Sequence, residues 1–297
     1  MPLVLDIADT RAATLDECVD ALRSKGFRPS DPASLHHAGV QLRRLGNDRT
    51  FLGDMIVEEL ARRHREEGDG NSYGAAVIML APPGGADFYM RANIWPSADE
   101  HAMRASGGDS FVYGLPHDHN FDFLTLGYFG PGYWSDYYEF DYESVAGWRD
   151  EPVDLRFVER ARLDEGKLML YRAHVDVHAQ IPPDALSVSI NVIHASGAQG
   201  WLDQYRFDTE GSRVAGIVSN GSSEAFVRIA VGLGLPEAVD LAERFAGSHP
   251  SDRMRLACFG ALASASGEPD RVWARAENCG SRLVSAEARL RRATLVG

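Results

Sequence analysis

Two histidine-bearing stretches hold the chemistry of this chain: Pro116-His117-Asp118-His119, at the mouth of an aromatic-rich segment, and Ala173-His174-Val175-Asp176-Val177-His178 further on. Alternate side chains of an extended strand point to one face. This predicts that His117 and His119 share a face of one strand, and that His174, Asp176 and His178 share a face of another. Two such strands side by side in a barrel would aim several imidazoles at one point. Neutral imidazole is a strong ligand for first-row transition metals, so the pattern reads as a mononuclear metal site. His117 and His119 are the first two expected ligands. His178 or His174 is the third, and His174 could also add a fourth or supply an acid/base group. Asp118 would point away and hold a neighbouring loop. Asp122 is out of phase with His119 and enters only through a bulge. Asp176 could orient an imidazole through its free N–H.

Other residue types complete the list of candidates. Arg91 can clamp a substrate carboxylate, because a guanidinium meets it as a bidentate fork. Tyr89 and Tyr128 are the aromatics expected to line a pocket, out of a group that includes Tyr133, Tyr137 and Phe140. His36, His37, His64, His101 and His249 lie outside the strands and are read as ordinary histidines. The three cysteines, Cys18, Cys258 and Cys279, form no C-x-x-C pair. None falls between Cys18 and Cys258, so a central metal site must use nitrogen and oxygen ligands.

The elements that must position these groups fall into three blocks. Residues 1–71 read as helical: Thr14-Leu15-Asp16-Glu17 is a capping box, Ser30-Asp31-Pro32 opens a second helix, and Thr50 to Arg65 is a third. Glu66 to Asn71 is a polar linker. Residues 72–210 turn to a strand period, with short runs at Ala75–Ala81, Ala86–Trp95, His117–Phe129, Tyr133–Tyr142, Leu155–Leu163, Lys167–Arg172, Val175–Gln180, Leu186–His194 and Gln204–Phe207. Frequent Gly, Pro and Asp turns without helical spacers indicate an antiparallel sandwich or barrel. Residues 211–297 return to helices, starting near Ser222, Pro236, Pro250, Pro269 and Ser285. Consecutive short amphipathic helices resemble a fragment of a HEAT-type array, or a cap on the barrel.

Composition narrows the function class. The chain has 297 residues, 44% hydrophobic and 25% charged, with a formal net charge of -13. So acidic a balance argues against nucleic-acid binding and against docking on anionic membranes. The first nine residues are too poor in apolar run for a signal peptide, and no stretch reaches the length of a spanning helix. A cytoplasmic protein acting on a small molecule or a peptide is expected. The oligomeric state stays open.

Strand pattern and histidines together resemble the cupin superfamily, and within it the thiol dioxygenases of the cysteine dioxygenase type. His117-Asp118-His119 matches that family's HDH. Phe88-Tyr89-Met90-Arg91-Ala92-Asn93 is similar to its Y-x-R-N segment. Val177-His178, followed by Ser187-Val188-Ser189-Ile190-Asn191, resembles its third histidine and downstream strand. The resemblance covers roughly residues 74–195. It implies a mainly β fold, a cupin-like double-stranded β-helix barrel flanked by N-terminal and C-terminal helical segments. It also implies His178 as third ligand, a mononuclear non-haem Fe(II) site, and insertion of O2 into a small anionic substrate held by Arg91. Cu, Ni, Mn and Zn also suit imidazole. The chain departs from the family at the downstream strand, where Asn191 replaces a histidine and Ile193 a tyrosine, and it has no cysteine in the barrel. Phe123 and Leu124 stand where other cupins carry a ligand glutamate. Two other readings remain: an iron oxygenase modifying a peptide, and a non-catalytic cupin that senses a metabolite.

Overall fold

The computed structural model describes residues 1–63, 76–219 and 221–296. The linker expected at Glu66–Asn71, the boundary at 71/72, the start of the strand period at Ser72 to Ala75, and His64 lie outside the described residues. The chain divides into two compact units: Met1–Phe140 with Leu155–Gln199, and Asp141–Asp154 with Gly200–Gly297. The second unit takes a segment from between two strands of the first.

The first unit opens with β1 (Leu3–Val4) and three helices, α1 (Leu15–Lys25), α2 (Pro32–Asn47) and α3 (Phe51–Arg63). The capping box at α1 is present: Thr14 accepts from the Glu17 N–H, and Glu17 accepts from the Thr14 N–H. Asp31 caps α2, with Pro32 at its first position. Then come β2 (Val77–Ala81), β3 (Phe88–Trp95), α4 (His101–Ser106), β4 (Phe123–Phe129), β5 (Trp134–Glu139), β6 (Arg156–Arg162), β7 (Leu168–Tyr171), β8 (Asp176–Ile181) and β9 (Ser187–His194). They form a six-stranded sheet in the order β1-β7-β4-β9-β3-β2 and a three-stranded sheet in the order β6-β5-β8. All their strand pairings are antiparallel.

The six-stranded sheet is covered on both faces, which explains the nearly continuous apolar run of β4. On one face, Leu22, Leu42 and Leu45 of the helices pack with Met90, Leu124, Leu126, Leu168, Ile190 and Val192. The helices thus share a core with the sheet, which is why they belong to the same unit. Gly46 lets α2 come close, since a Cβ there would stand 2.2 Å from Leu126 Cδ2. The alternate residues of the same strands, Trp95, Phe123, Met169, Tyr171 and Ile193, form a second cluster with Tyr137 of the other sheet and Tyr133 just before β5.

The second unit holds the hairpin β10 (Tyr205–Asp208) and β11 (Arg213–Ile217) and five helices, α5 (Ser222–Gly232), α6 (Pro236–Ser248), α7 (Asp252–Ala265), α8 (Pro269–Glu277) and α9 (Arg282–Val296). Their core is built from Val231, Ala242, Ala246, Cys258, Phe259, Trp273, Ala276 and Val284. In the inserted segment, the buried Glu151 carboxylate accepts the N–H groups of Ala146 and Gly147.

The antiparallel sheets are as expected. The mainly β description needs correction, because helical residues outnumber strand residues among the described residues. The barrel expectation is likewise met only in part, since among the described residues no sheet closes on itself. No helix among them is long and apolar enough to cross a membrane.

Candidate metal centre

His117 and His119 do not lie on a strand. β4 begins only at Phe123, and the segment before it is held by an isolated antiparallel bridge between His117 and His178. The two residues exchange both backbone hydrogen bonds, each N–H to the other's carbonyl at 3.0 Å. Directly opposed residues of such a pair put their side chains on one face. Two residues on, His119 joins that face, and its carbonyl accepts the N–H of His174 at 2.9 Å. The alternation argument therefore works for this pair without a named strand, because the local backbone is extended and laddered to β8.

The three rings converge. Their centroids stand 4.9 Å apart for His117 and His119, 4.6 Å for His117 and His178, and 5.1 Å for His119 and His178. One nitrogen from each ring can be chosen so that all three lie within 4.8 Å of one another. The Nε2 atoms of His119 and His178 are 3.0 Å apart. His117 Nδ1 is 2.7 Å from the Leu115 carbonyl. A proton on that nitrogen donates to the carbonyl and leaves Nε2 free to bind, the orientation that metal-bound imidazoles commonly have. Tyr171, Phe121 and Phe123 wall the rings, with Tyr171 4.9 Å from His178 and Phe123 4.9 Å from His119.

Electrostatics keeps the trio neutral. Burial lowers the pKa of His117. Burial, then the neighbouring His117 and His178 and the Arg91 charge, push His119 well below its ordinary value. Burial and His117 do the same to His178. Neutral imidazole is the form that binds metal. Nitrogens sharing one ion at about 2.0–2.1 Å stand roughly 3 to 3.4 Å from each other. The observed His119–His178 separation falls in that range, so the donor set fits a transition-metal ion.

The other candidates are distributed unevenly. Arg91 and Tyr89 lie two apart on β3, on the face that also carries Trp95 into the inter-sheet cluster. Opposite them on β9 stand Asn191 and Ile193, the two positions where the chain departs from the thiol dioxygenases. His174 is not on the histidine face of β8. It precedes the strand in a left-handed turn, at φ 60. Its Nδ1 lies 3.8 Å from Oδ2 of the buried Asp118, so Asp118 faces the neighbouring loop as expected. Asp122 accepts the Ala173 N–H. Asp176 orients no imidazole in the trio; its carboxylate is taken by Arg172 and the amino terminus.

Tyr128 is corrected outright. It sits on the helix-covered face, stacked edge-on against Phe51 and donating to the Asp48 carbonyl at 2.9 Å. Alternation along β4 puts it there with Leu124 and Leu126. Tyr171, which no motif singled out, takes a place beside the trio instead, with its hydroxyl 2.7 Å from that of Tyr137. Alternation in Leu168-Met169-Leu170-Tyr171 held that signal, since it pairs Tyr171 with Met169 against the two leucines. His37 and His249 have local roles at the Ala21 carbonyl and the Ser251 N–H.

No protein-family model matches the chain, and no curated protein matches it. Among solved structures, DMSP lyase DddQ from Ruegeria pomeroyi DSS-3 is similar over 66% of this chain and 79% of that one, at 8% identity and a TM-score of 0.26. So weak a likeness decides neither fold nor chemistry. What stands on this chain's own residues is a buried group of three histidines with the make-up of a metal site.

Proposed function

We propose that the first unit is a cupin-like metal-dependent oxygenase, with His117, His119 and His178 holding Fe(II) and Arg91 holding the carboxylate of a small anionic substrate. The observation that carries the reading is the trio itself: three neutral imidazoles, from two distant stretches of sequence, in a largely dry layer between two sheets. When bound there, iron supplies a Lewis-acidic centre where O2 and substrate can meet. Three neutral ligands leave its charge uncompensated, which favours an anionic donor from the substrate. The chain's own contribution is placement and exclusion of water. Arg91 fixes one end of the substrate. Tyr89, on the same face, offers a hydroxyl that can hold a proton at the reacting end. His174, beside Asp118 outside the trio, is the acid/base group of this reading. Phe121, Phe123 and Tyr171 keep water from the rings.

Metal analysis of the purified protein tests this directly. About one transition metal per chain is expected. His119→Ala and His178→Ala should abolish binding, and His174→Ala should retain it. Iron-loaded protein should consume oxygen with a small carboxylate or thiol substrate. Full occupancy in the His119 variant overturns the site. Turnover of a substrate without oxygen uptake replaces the oxygenase with an eliminating or hydrolytic enzyme, and an intact protein that never holds metal points to the metabolite sensor.

A further inference from the structure

The layer below the histidines is polar where a sandwich interior is normally apolar. Cross-strand register stacks the inward side chains in rows. Tyr89, Ile193, Phe123 and Tyr171 form one row across β3, β9, β4 and β7. Tyr171 meets Tyr137 of the other sheet, which is paired with His178. Two residues further along each strand, the next row is Arg91, Asn191, Thr125 and the apolar Met169, and on the facing sheet Ser135 is paired with Gln180. Asn93 follows Arg91. Below them Trp95 packs on Tyr133 with centroids 4.3 Å apart and closes the layer.

Thr125, Asn191 and Gln180 are at most 4% exposed. Thr125 Oγ1, Asn191 Oδ1, Gln180 Oε1 and Asn93 Oδ1 nevertheless find no hydrogen-bond partner among the described residues. Buried polar atoms are nearly always paired, and each exception needs an explanation, of which a bound group is one. Several such oxygens in adjacent rows, lined up with a guanidinium and beside the metal site, make a coherent set.

We infer that this belt is a substrate subsite for a hydroxylated carboxylate, with Arg91 taking the carboxylate and Asn93, Thr125, Gln180 and Asn191 accepting from hydroxyl groups. The inference rests on Arg91 as the carboxylate anchor. Four oxygens in need of donors call for a ligand rich in O–H or N–H. An ammonium would bring a second cation beside Arg91 in a dry layer, where like charges repel strongly. Neutral hydroxyls meet the same oxygens without that cost. A purely aliphatic acid would leave all four without partners.

Titration calorimetry of the full-length, iron-loaded protein with two carboxylates of equal chain length, gluconate and hexanoate, tests this. Gluconate is expected to bind at least about tenfold more tightly, the effect of two or more added hydrogen bonds. Thr125→Val and Gln180→Met should each narrow that ratio several-fold. Neither should lower the melting temperature, because each removes a polar atom that has no partner in the fold. A ratio near one in the wild type, as from a belt that holds water only, overturns the subsite. Unchanged ratios in both variants overturn it too, as does a marked fall in melting temperature in both, which would mean that these groups serve the fold. The two readings fail separately. Protein without metal that still prefers gluconate loses the oxygenase and keeps the subsite, whereas metal-loaded protein without the preference loses the subsite alone.

Discussion

Arg91 and the imidazole trio share one partly dry layer, and their charges set each other's chemistry. The guanidinium helps to hold His119 neutral, and the neutral trio adds no positive charge of its own beside it. Arginine suits this place better than lysine, since its fixed fork can bind a carboxylate through two parallel bonds. Truncating such a group in a desolvated pocket costs about 2–5 kcal/mol of binding. Arg91→Ala should therefore weaken gluconate binding roughly thirtyfold or more while leaving metal content unchanged. Arg91→Lys should recover only part of the loss. Undiminished affinity in the alanine variant, measured by calorimetry, would move the anion site elsewhere.

At the scale of elements, the turn joining β4 to β5 decides which aromatics enter the layer. It runs through Gly130-Pro131-Gly132, and both glycines have left-handed φ, at 80 and 77. Gly132 is also pressed against the neighbouring chain: a Cβ would stand 1.9 Å from the Leu163 carbonyl oxygen. No L side chain fits there without moving the backbone that places Tyr133 and Tyr137. Gly132→Ala should destabilise the protein by roughly 2–4 kcal/mol in urea unfolding. Gly53→Ala is the contrast. That glycine lies in α3 with nothing near its Cβ position, so the change should stabilise by up to about 1 kcal/mol. Equal effects at the two sites would contradict this account of the turn.

Over the whole molecule, the buried histidines couple fold stability to acidity. The pKa of each trio member in the folded state lies below the ordinary value of 6.5. The unfolded chain then binds more protons than the folded one as pH falls below that value. The stability associated with the trio is present above about pH 6.5 and is lost progressively on acidification. Glu139, held below its ordinary 4.5 chiefly by the amino terminus and also by Arg172, should add a second loss at lower pH. Melting curves of metal-free protein should be flat above pH 7 and shift downward between about pH 6.5 and 5. Replacing His119 with Gln should make that segment shallower, since His117 and His178 remain, and leave the more acidic one. A melting temperature that rises between pH 7 and 5 would mean that the trio takes up protons readily in the folded state.

Much of this was legible in the sequence wherever local chemistry sets the outcome. The capping box of α1, most of the strand runs and the alternation in Tyr89-Met90-Arg91 depend on a few neighbouring residues, and the structure follows them; the run from His117 is the exception, since its strand starts only at Phe123. The grouping of His117, His119 and His178 was also within reach, because alternation holds along any extended segment. Other features depend on contacts between residues far apart in the chain. His174 leaves the histidine face because a left-handed turn, tied by its N–H to the His119 carbonyl and by Asp122 to Ala173, starts β8 two residues later. Tyr128 follows Leu124 and Leu126 by plain alternation, but only the helices packed on that face show that it lies outside the layer. The polar belt could not be read at all from one strand at a time. Thr125, Gln180 and Asn191 look like ordinary strand residues until pairing sets them in adjacent rows. Alternation assigns a side chain to a face, but only register and the packing of two sheets decide which side chains from different strands meet.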